Sequence, residues 1–377
     1  MFHASLHPSS SSSSSSAASH PLAAYGWDED WADAFAPYAA QGLLPGRVVR
    51  VDRGQCDVMT PEGLVRADTA FVTPHDPLRV ICTGDWAAVD PDGAGDPRYV
   101  RDYLPRRTAF TRSTSSKRSE GQILAANVDH AIIVVSLAVE LDLGRIERFL
   151  ALAWESGAQP AIVLSKADLV PDPVGLSYLV EDVETVAPGV EVLPVSSHTG
   201  DGLDTLRAIA TGGTTVLLGV SGAGKSTLAN TLLGADAMDV QTTRDADGKG
   251  RHTTTTRNLL ALPAGGVLID TPGLRGVGLW DAESGVGQVF SEIDELAASC
   301  RFHDCAHETE PGCAVAAAID DGTLPERRLD SYRKLLRENQ RLAAKTDARM
   351  RAEMLKGWKQ RGAEGRAAME MKQGRFR

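Results

Sequence analysis

Two short motifs stand in an unusual order along this 377-residue chain: SKAD at 165–168 precedes GVSGAGKST at 219–227. The second run follows the pattern Gly-x4-Gly-Lys-Ser. Such a loop wraps backbone N–H groups around phosphates, aims its lysine at the β and γ oxygens and offers Mg²⁺ a hydroxyl. Gly219, Gly224, Lys225 and Ser226 fill those places, with Val220, Ser221, Gly222 and Ala223 between them and Thr227 following. The apolar run TTVLL at 214–218 predicts a buried strand before the loop, and 226–233 predicts a helix start after it. Strand, loop and helix in that order are the context a phosphate loop needs, and they predict an α/β domain.

SKAD (Ser165, Lys166, Ala167, Asp168) closes the apolar stretch AIVL. An aspartate there suits guanine, because a carboxylate accepts from both N1–H and N2–H, a donor pair that adenine lacks. A second apolar stretch, VEVLPV, ends in Ser196, Ser197 and His198, where a loop backing the base would sit. Alone, SKAD would also suit an exposed helix cap, and the phosphate loop an ATPase; two strand-ending loops about thirty residues apart favour guanine reading. Further on, VLIDTPGL places Asp270 at a strand end, where a carboxylate can hold the Mg²⁺ shell, and Gly273 where its N–H can face a γ-phosphate. Between the phosphate loop and VLIDTPGL lies RHTTTTR, in which one hydroxyl of Thr253, Thr254 or Thr255 can complete the metal shell; Thr254 stands for it among the expected contacts. In an ordinary GTPase the base-reading motif follows the phosphate loop, so the order here is permuted.

The chain resembles the circularly permuted GTPases and, within them, the ribosome small subunit-dependent GTPase A family. The resemblance covers roughly residues 45 to 345 and rests on LGRIERFLALAWESG, GVSGAGKSTL, GRHTTTT, DTPG and a late cysteine and histidine cluster. One departure is Ser165, where the family more often has Asn or Thr; serine is shorter and has no amide, and Asp168 carries the main discrimination. Many GTPases orient the attacking water with a glutamine just after the DxxG glycine, but that place is Leu274, which cannot hydrogen-bond. The resemblance supports His252 for that role, the other reading of this histidine being a contact to RNA or phosphate.

Cys300, Cys305 and Cys313 fall within fourteen residues together with His303 and His307. Three thiolates and one imidazole are the ligand set of a closed, structural zinc site, which has no open position for water. The family pattern C-x4-C-x-H-x5-C falls on His307 rather than His303. Cys56 and Cys82 lie far apart in a region of short alternating segments, and they are expected to be buried as small apolar side chains.

That region, about 46 to 103, is punctuated by Gly, Pro and Asp and predicts a small antiparallel barrel; the resemblance makes it an OB-fold that presents a face to RNA, against the plainer reading of a barrel packed on its neighbour. Residues 98 to 118 hold seven Lys or Arg and one acid, a candidate phosphate footprint in a chain of net charge −11. After the cysteine cluster, 324–344 predicts a helix ringed by Arg327, Arg328, Arg333, Lys334, Arg337 and Arg341. The stretch 345–377 carries ten Lys or Arg against four acids. Eight serines at 9–16 bury nothing and predict disorder. Residues 27 to 38 suit a short amphipathic helix with no assigned role.

No run of about 18 apolar residues would span a bilayer, and the N-terminus lacks a charged region followed by an apolar one; a cytoplasmic protein with no membrane partner is expected, acting as a monomer. The expected organisation is a low-complexity extension (1–40), an OB-like barrel (41–110), a permuted α/β G domain (111–281), a zinc-binding helical domain (282–345) and a basic tail (346–377). The expected cofactors are GTP or GDP, one Mg²⁺ per nucleotide and one structural Zn²⁺. The resemblance implies docking on the small ribosomal subunit and its rRNA late in assembly, with hydrolysis stimulated by the subunit. Two other classes share these motifs: a GTP-regulated RNA-binding module with incidental turnover, and an ATP-dependent kinase or ATPase.

Overall fold

The computed structural model describes residues 20–72, 80–91, 98–113, 121–235, 258–270 and 282–346. Helix α1 (Glu29–Ala39) comes first, with Asp28 as its cap, the carboxylate accepting from the Trp31 N–H at 2.8 Å. Strands β1 (Leu44–Val51), β2 (Gln55–Thr60), β3 (Gly63–Asp68), β4 (Trp86–Val89) and β5 (Arg98–Tyr103) close into a barrel in the order β1-β2-β3-β5-β4. This is the expected OB-like arrangement, although the long apolar run before Asp90 yields only the four-residue β4. Val48, Cys56, Val58, Ala87, Val89 and Val100 fill its interior. The helix without an assigned role turns out to be a cover: Trp27, Trp31 and Phe35 pack with Trp86, Ala88 and Leu104 outside the barrel core, and Arg107 stacks 3.9 Å over Trp31.

Strands β6 (Ala109–Ser113) and β7 (Gly121–Ala126) pair with each other and lead into a second, six-stranded sheet. Its elements in chain order are β8 (His130–Ser136), α2 (Leu143–Ser156), β9 (Gln159–Ser165), α3 (Pro173–Glu184), β10 (Glu191–Val195), α4 (Leu203–Ala210), β11 (Thr214–Leu218), α5 (Lys225–Leu233), β12 (Leu259–Ala261) and β13 (Val267–Ile269). The spatial order is β10-β9-β8-β11-β13-β12, parallel except for β12. Both faces are covered, so β8 reads as a continuous apolar run rather than an alternation. Ala131 and Ile133 face the core shared with α2, while Ile132 and Val134 face the one shared with α4 and α5.

Helices α6 (Glu283–Val289), α7 (Ser291–Ala297), α8 (Ala314–Asp320) and α9 (Glu326–Thr346) follow, and their apolar residues join the core on the α2 side. Glu147 of α2, fully buried, receives Arg327 at 3.0 Å and Arg328 at 2.8 Å and also the Ser331 hydroxyl. Arg328 continues to Glu292 at 2.5 Å and stacks over Phe290. Glu147→Ala should therefore lower stability by about 3–5 kcal/mol, because a buried guanidinium loses a counter-charge. Denaturant unfolding checks this, and a loss well under 1 kcal/mol would mean that Glu292 alone suffices for Arg328.

Within the basic run at 98–118, Lys117 and Arg118 lie outside the described residues, while four of the seven cations have acids beside them. Arg98 pairs with Glu62, Arg101 with Asp90, Arg107 with Asp28, and Arg106 with the fully buried Asp85. The last of these is structural, holding the end of the barrel, and all four charges are partly spent within the protein.

Candidate nucleotide and metal sites

Strand β11 is buried along its length and delivers the chain at Gly219, where φ is +138°. A Cβ there would come 2.4 Å from the Val134 carbonyl oxygen, so only glycine lets the loop leave between β11 and β8. The loop returns at Gly224, φ +93°, which starts α5. The Lys225 ammonium donates to the carbonyls of Gly219 (2.7 Å) and Val220 (2.6 Å), which holds it across the loop. Ser226 and Thr227 occupy the first turn of α5, whose N-terminus carries the N–H groups and the positive end of the helix dipole.

SKAD stands at the end of β9, two strands from β11, and the two loops touch. The Ser165 hydroxyl, buried, donates to the Ala223 carbonyl at 2.6 Å. Lys166, in the left-handed region at φ +59°, lays its ammonium 3.1 Å from the Gly222 carbonyl. Serine at 165 thus faces the phosphate loop through its hydroxyl, and its lack of an amide leaves that tie intact. Asp168, in a single 3-10 turn at Ala167–Leu169, accepts from the buried Ser196 hydroxyl at 2.6 Å through Oδ1. Ser196 also accepts from the N–H groups of His198 (3.2 Å) and Thr199 (3.1 Å), so the loop after β10 carrying Ser196, Ser197 and His198 backs the aspartate. Asp270 follows β13, itself paired to β11, and its N–H donates to the Asn258 carbonyl at 2.9 Å. Ser226 and Asp270 are hard oxygen donors of the kind Mg²⁺ prefers. His252, Thr254 and Gly273 lie outside the described residues.

The ligand atoms of Cys300, Cys305, His307 and Cys313 all lie within 4.8 Å of one another. His307 presents Nδ1, 3.6 Å from the Cys300 sulfur and 3.5 Å from that of Cys313. Its backbone is left-handed at φ +58°, and the Arg333 guanidinium donates to its carbonyl. Burial holds its pKa below the usual value, which favours the neutral, ligating imidazole. N–H groups of Ala314 and Ala316 donate to the sulfurs of Cys300 and Cys313 at 3.3 Å each, which stabilises negative charge on those sulfurs. His303 is 98% exposed and outside the cluster. Donor number, type and spacing suit zinc.

Comparison with known proteins agrees with this geometry. The model of the RsgA GTPase family matches residues 103–280. A curated relative from Streptomyces avermitilis, called small ribosomal subunit biogenesis GTPase RsgA, is 76% identical over 368 residues, covering 98% of this chain and 99% of its own. The chain belongs to the RsgA GTPase family. A more distant RsgA from Opitutus terrae is 42% identical, over 94% of this chain and 99% of that protein. Among solved structures, YjeQ from Thermotoga maritima aligns with a TM-score of 0.58 at 27% identity, over 79% of this chain and 98% of its own. YloQ, described as a circularly permuted GTPase, shares the fold with the same TM-score at 23% identity, over 79% and 95%. This RsgA-family chain is thus a GTPase with a permuted G domain, and such an enzyme uses GTP, GDP and Mg²⁺.

Sequence reasoning had no signal for two participants, Arg47 and Asn258. Arg47 is buried, donates to Thr214 Oγ1 at 3.0 Å at the start of β11, and has its pKa pulled down to about 10 by burial, so it stays charged at pH 7. An arginine in an alternating strand reads as an outward-facing residue, and only the packing of barrel on sheet reveals it as internal.

Proposed function

We propose that this chain docks on the small ribosomal subunit and its rRNA late in assembly and hydrolyses GTP there, with the subunit stimulating turnover. The observation that carries the chemistry is the direct contact of the base-reading and phosphate loops through Ser165 and Ala223, which makes one nucleotide site of two motifs. The partner comes from relatives named for small-subunit biogenesis over nearly the full length of the chain. The organisation we assign is a barrel at 41–110, the G domain at 111–281, a zinc-binding helical domain at 282–345 and a basic tail at 346–377. The place of action is the cytoplasm; among the described residues no helix is long and apolar enough to cross a membrane.

In the nucleotide pocket Asp168 reads the guanine donors and Ser196, Ser197 and His198 back it, while Ser165, Lys166 and Ala167 fix that loop to the phosphate loop. Backbone N–H groups from Gly219 to Gly224 cradle the phosphates, and Lys225 neutralises the β and γ oxygens. Ser226, Asp270 and Thr254 would hold Mg²⁺, which when bound would supply positive charge to the transferring phosphoryl group. The Gly273 N–H faces the γ-phosphate. Water attacks the γ-phosphorus as the bond to the β–γ bridging oxygen breaks, giving GDP and phosphate, and His252 orients that water. Cys300, Cys305, His307 and Cys313 hold one structural Zn²⁺.

The experiment that tests the proposal is GTP hydrolysis with and without purified small subunits. Stimulation of at least about tenfold is expected, and His252→Ala should remove it, bringing turnover with subunits down to the unstimulated rate with unchanged GDP affinity. Unstimulated turnover would favour a GTP-regulated RNA-binding module; normal stimulation in the variant would take His252 out of the mechanism.

A further inference from the structure

Strand β1 belongs to two cores at once. Val48 points into the barrel, and the register with β2 shifts between Val48 and Arg50, so Val49 occupies a β-bulge. Bulges re-aim side chains, and Val49 packs against the G-domain core, whose members include Leu259 and Ile269. Strand β4 pairs with β1 only from Leu44 to Arg47. Val48 then bonds to Asp85 and Gly84, and past it the edge is taken by the G domain, as Arg50 forms an antiparallel β-bridge with Asn258. Asn258 is the residue whose carbonyl receives the Asp270 N–H. Gly84, φ +97°, donates to the Val48 carbonyl and leaves no room for a side chain: a Cβ built there would lie 2.1 Å from the Ala126 carbonyl oxygen and 3.2 Å from Ile269 Cδ1 of β13. At its other end the same stretch of β1 holds Thr214 through Arg47.

We infer that β1 of the barrel is a positioning element of the nucleotide site, acting through Val49 and the Arg50–Asn258 bridge on Asp270. The inference rests on the reading of Asp270 as a carboxylate of the Mg²⁺ shell. Strands β12 and β13 have three residues each, and β12 is one of the sheet's two outer strands. Short edge strands open easily unless something covers them, and β1 covers this one where it begins. Mg²⁺ accepts little departure from octahedral geometry at about 2.0–2.1 Å, so a small displacement of Asp270 is felt as weaker metal binding. A partner on the barrel that displaced β1 would change the affinity for Mg²⁺ with GTP, and by linkage nucleotide would change the barrel's affinity for that partner by the same factor.

The test is the Mg²⁺ concentration at which a non-hydrolysable GTP analogue reaches half of its Mg²⁺-induced gain in affinity, measured on the full chain. Val49→Ala should raise it about three- to tenfold, with GDP affinity in EDTA unchanged. Val65→Ala truncates a valine packed on the barrel core away from the G domain and should leave it unchanged. Val49→Ile, which keeps a branched apolar side chain, should keep the wild-type value, and Val49→Thr, which puts a hydroxyl into the apolar contact, should raise the requirement as alanine does and provides a folded variant should alanine unfold the barrel. Hydrogen exchange gives a second readout: in Val49→Ala the Asp270 amide should lose protection while the Val48 amide, bonded to the Asp85 carbonyl, keeps it. A wild-type requirement in Val49→Ala and Val49→Thr overturns the inference, as does an equal shift in Val65→Ala. Asp270→Asn in the same titration separates the two levels. If it raises the requirement and the Val49 variants do not, only the coupling fails; if it has no effect, the reading of Asp270 fails and the inference with it.

Discussion

His307→Ala is expected to strip the protein of zinc and to melt the segment between Cys300 and Cys313 while leaving α9 in place. Structural zinc binds in small modules with about 10–16 kcal/mol of apparent free energy at neutral pH, as much as an entire domain's net stability. Residues 301–304 and 308–309 are exposed and bring no core of their own, so a zinc ion on the four clustered side chains would be what closes this loop. The helices beyond it are differently supported. Val315, Leu324, Leu329 and Leu335 lie in the core shared with α2, and Arg327 and Arg328 are bound to Glu147. Metal analysis and hydrogen exchange together check the result: zinc lost, fast exchange within the loop, slow exchange retained in α9. His303→Ala should keep its zinc. Stoichiometric zinc in both His307→Ala and Cys305→Ala would overturn the ligand assignment.

Asp168→Asn is the second large effect. The Ser196 hydroxyl donates to Oδ1, and an asparagine can keep that bond only by holding its carbonyl oxygen there, which turns its NH₂ towards the base. Guanine would then meet a donor where it needs an acceptor. GDP affinity should fall about 10²-fold, since bonds to a charged partner are worth about 1.5–3 kcal/mol each. Xanthosine diphosphate has a carbonyl oxygen in place of the guanine amine and should gain affinity in the variant. That gain separates a changed base preference from a damaged pocket. Unchanged GDP binding would remove Asp168 as the base reader.

The parts of the site that depend on local chemistry were legible in the sequence. The phosphate loop needs its glycines, lysine and hydroxyl at fixed spacing, and the strand at 214–218 and the helix after it formed where apolar pattern and loop demanded. Cys300, Cys305, His307 and Cys313 are close in sequence, so proximity in space followed, and only the choice between His303 and His307 needed more than composition. What stayed hidden depends on contacts between distant segments. Glu147 sits among apolar residues of α2 and reads as a solvated helix residue until α9 supplies Arg327 and Arg328. The arginines at 98–107 look like a free basic run because their acids, Glu62, Asp90, Asp85 and Asp28, come from other elements. The role of α1 required Trp86, more than fifty residues away in sequence, to be brought beneath it.

The strand order β10-β9-β8-β11-β13-β12 has a consequence for the birth of the protein. As the chain leaves the ribosome, β8 comes first, and β9 and β10 each add to an edge already present. Strand β11 then joins the opposite side of β8, and β13 joins β11. The sheet thus grows outward from its middle, with no strand inserted between two that have already paired. Nascent chains emerge at about 5–20 residues per second, so the guanine half of the pocket exists for several seconds before its phosphate half. During that interval GTP can do little to hold the half-built domain together, and the uncovered edge of β8 is open to strands of other chains. Permutation has therefore made the base-reading half the first to be synthesised, and the nascent half-domain must survive on its own packing until the phosphate half follows.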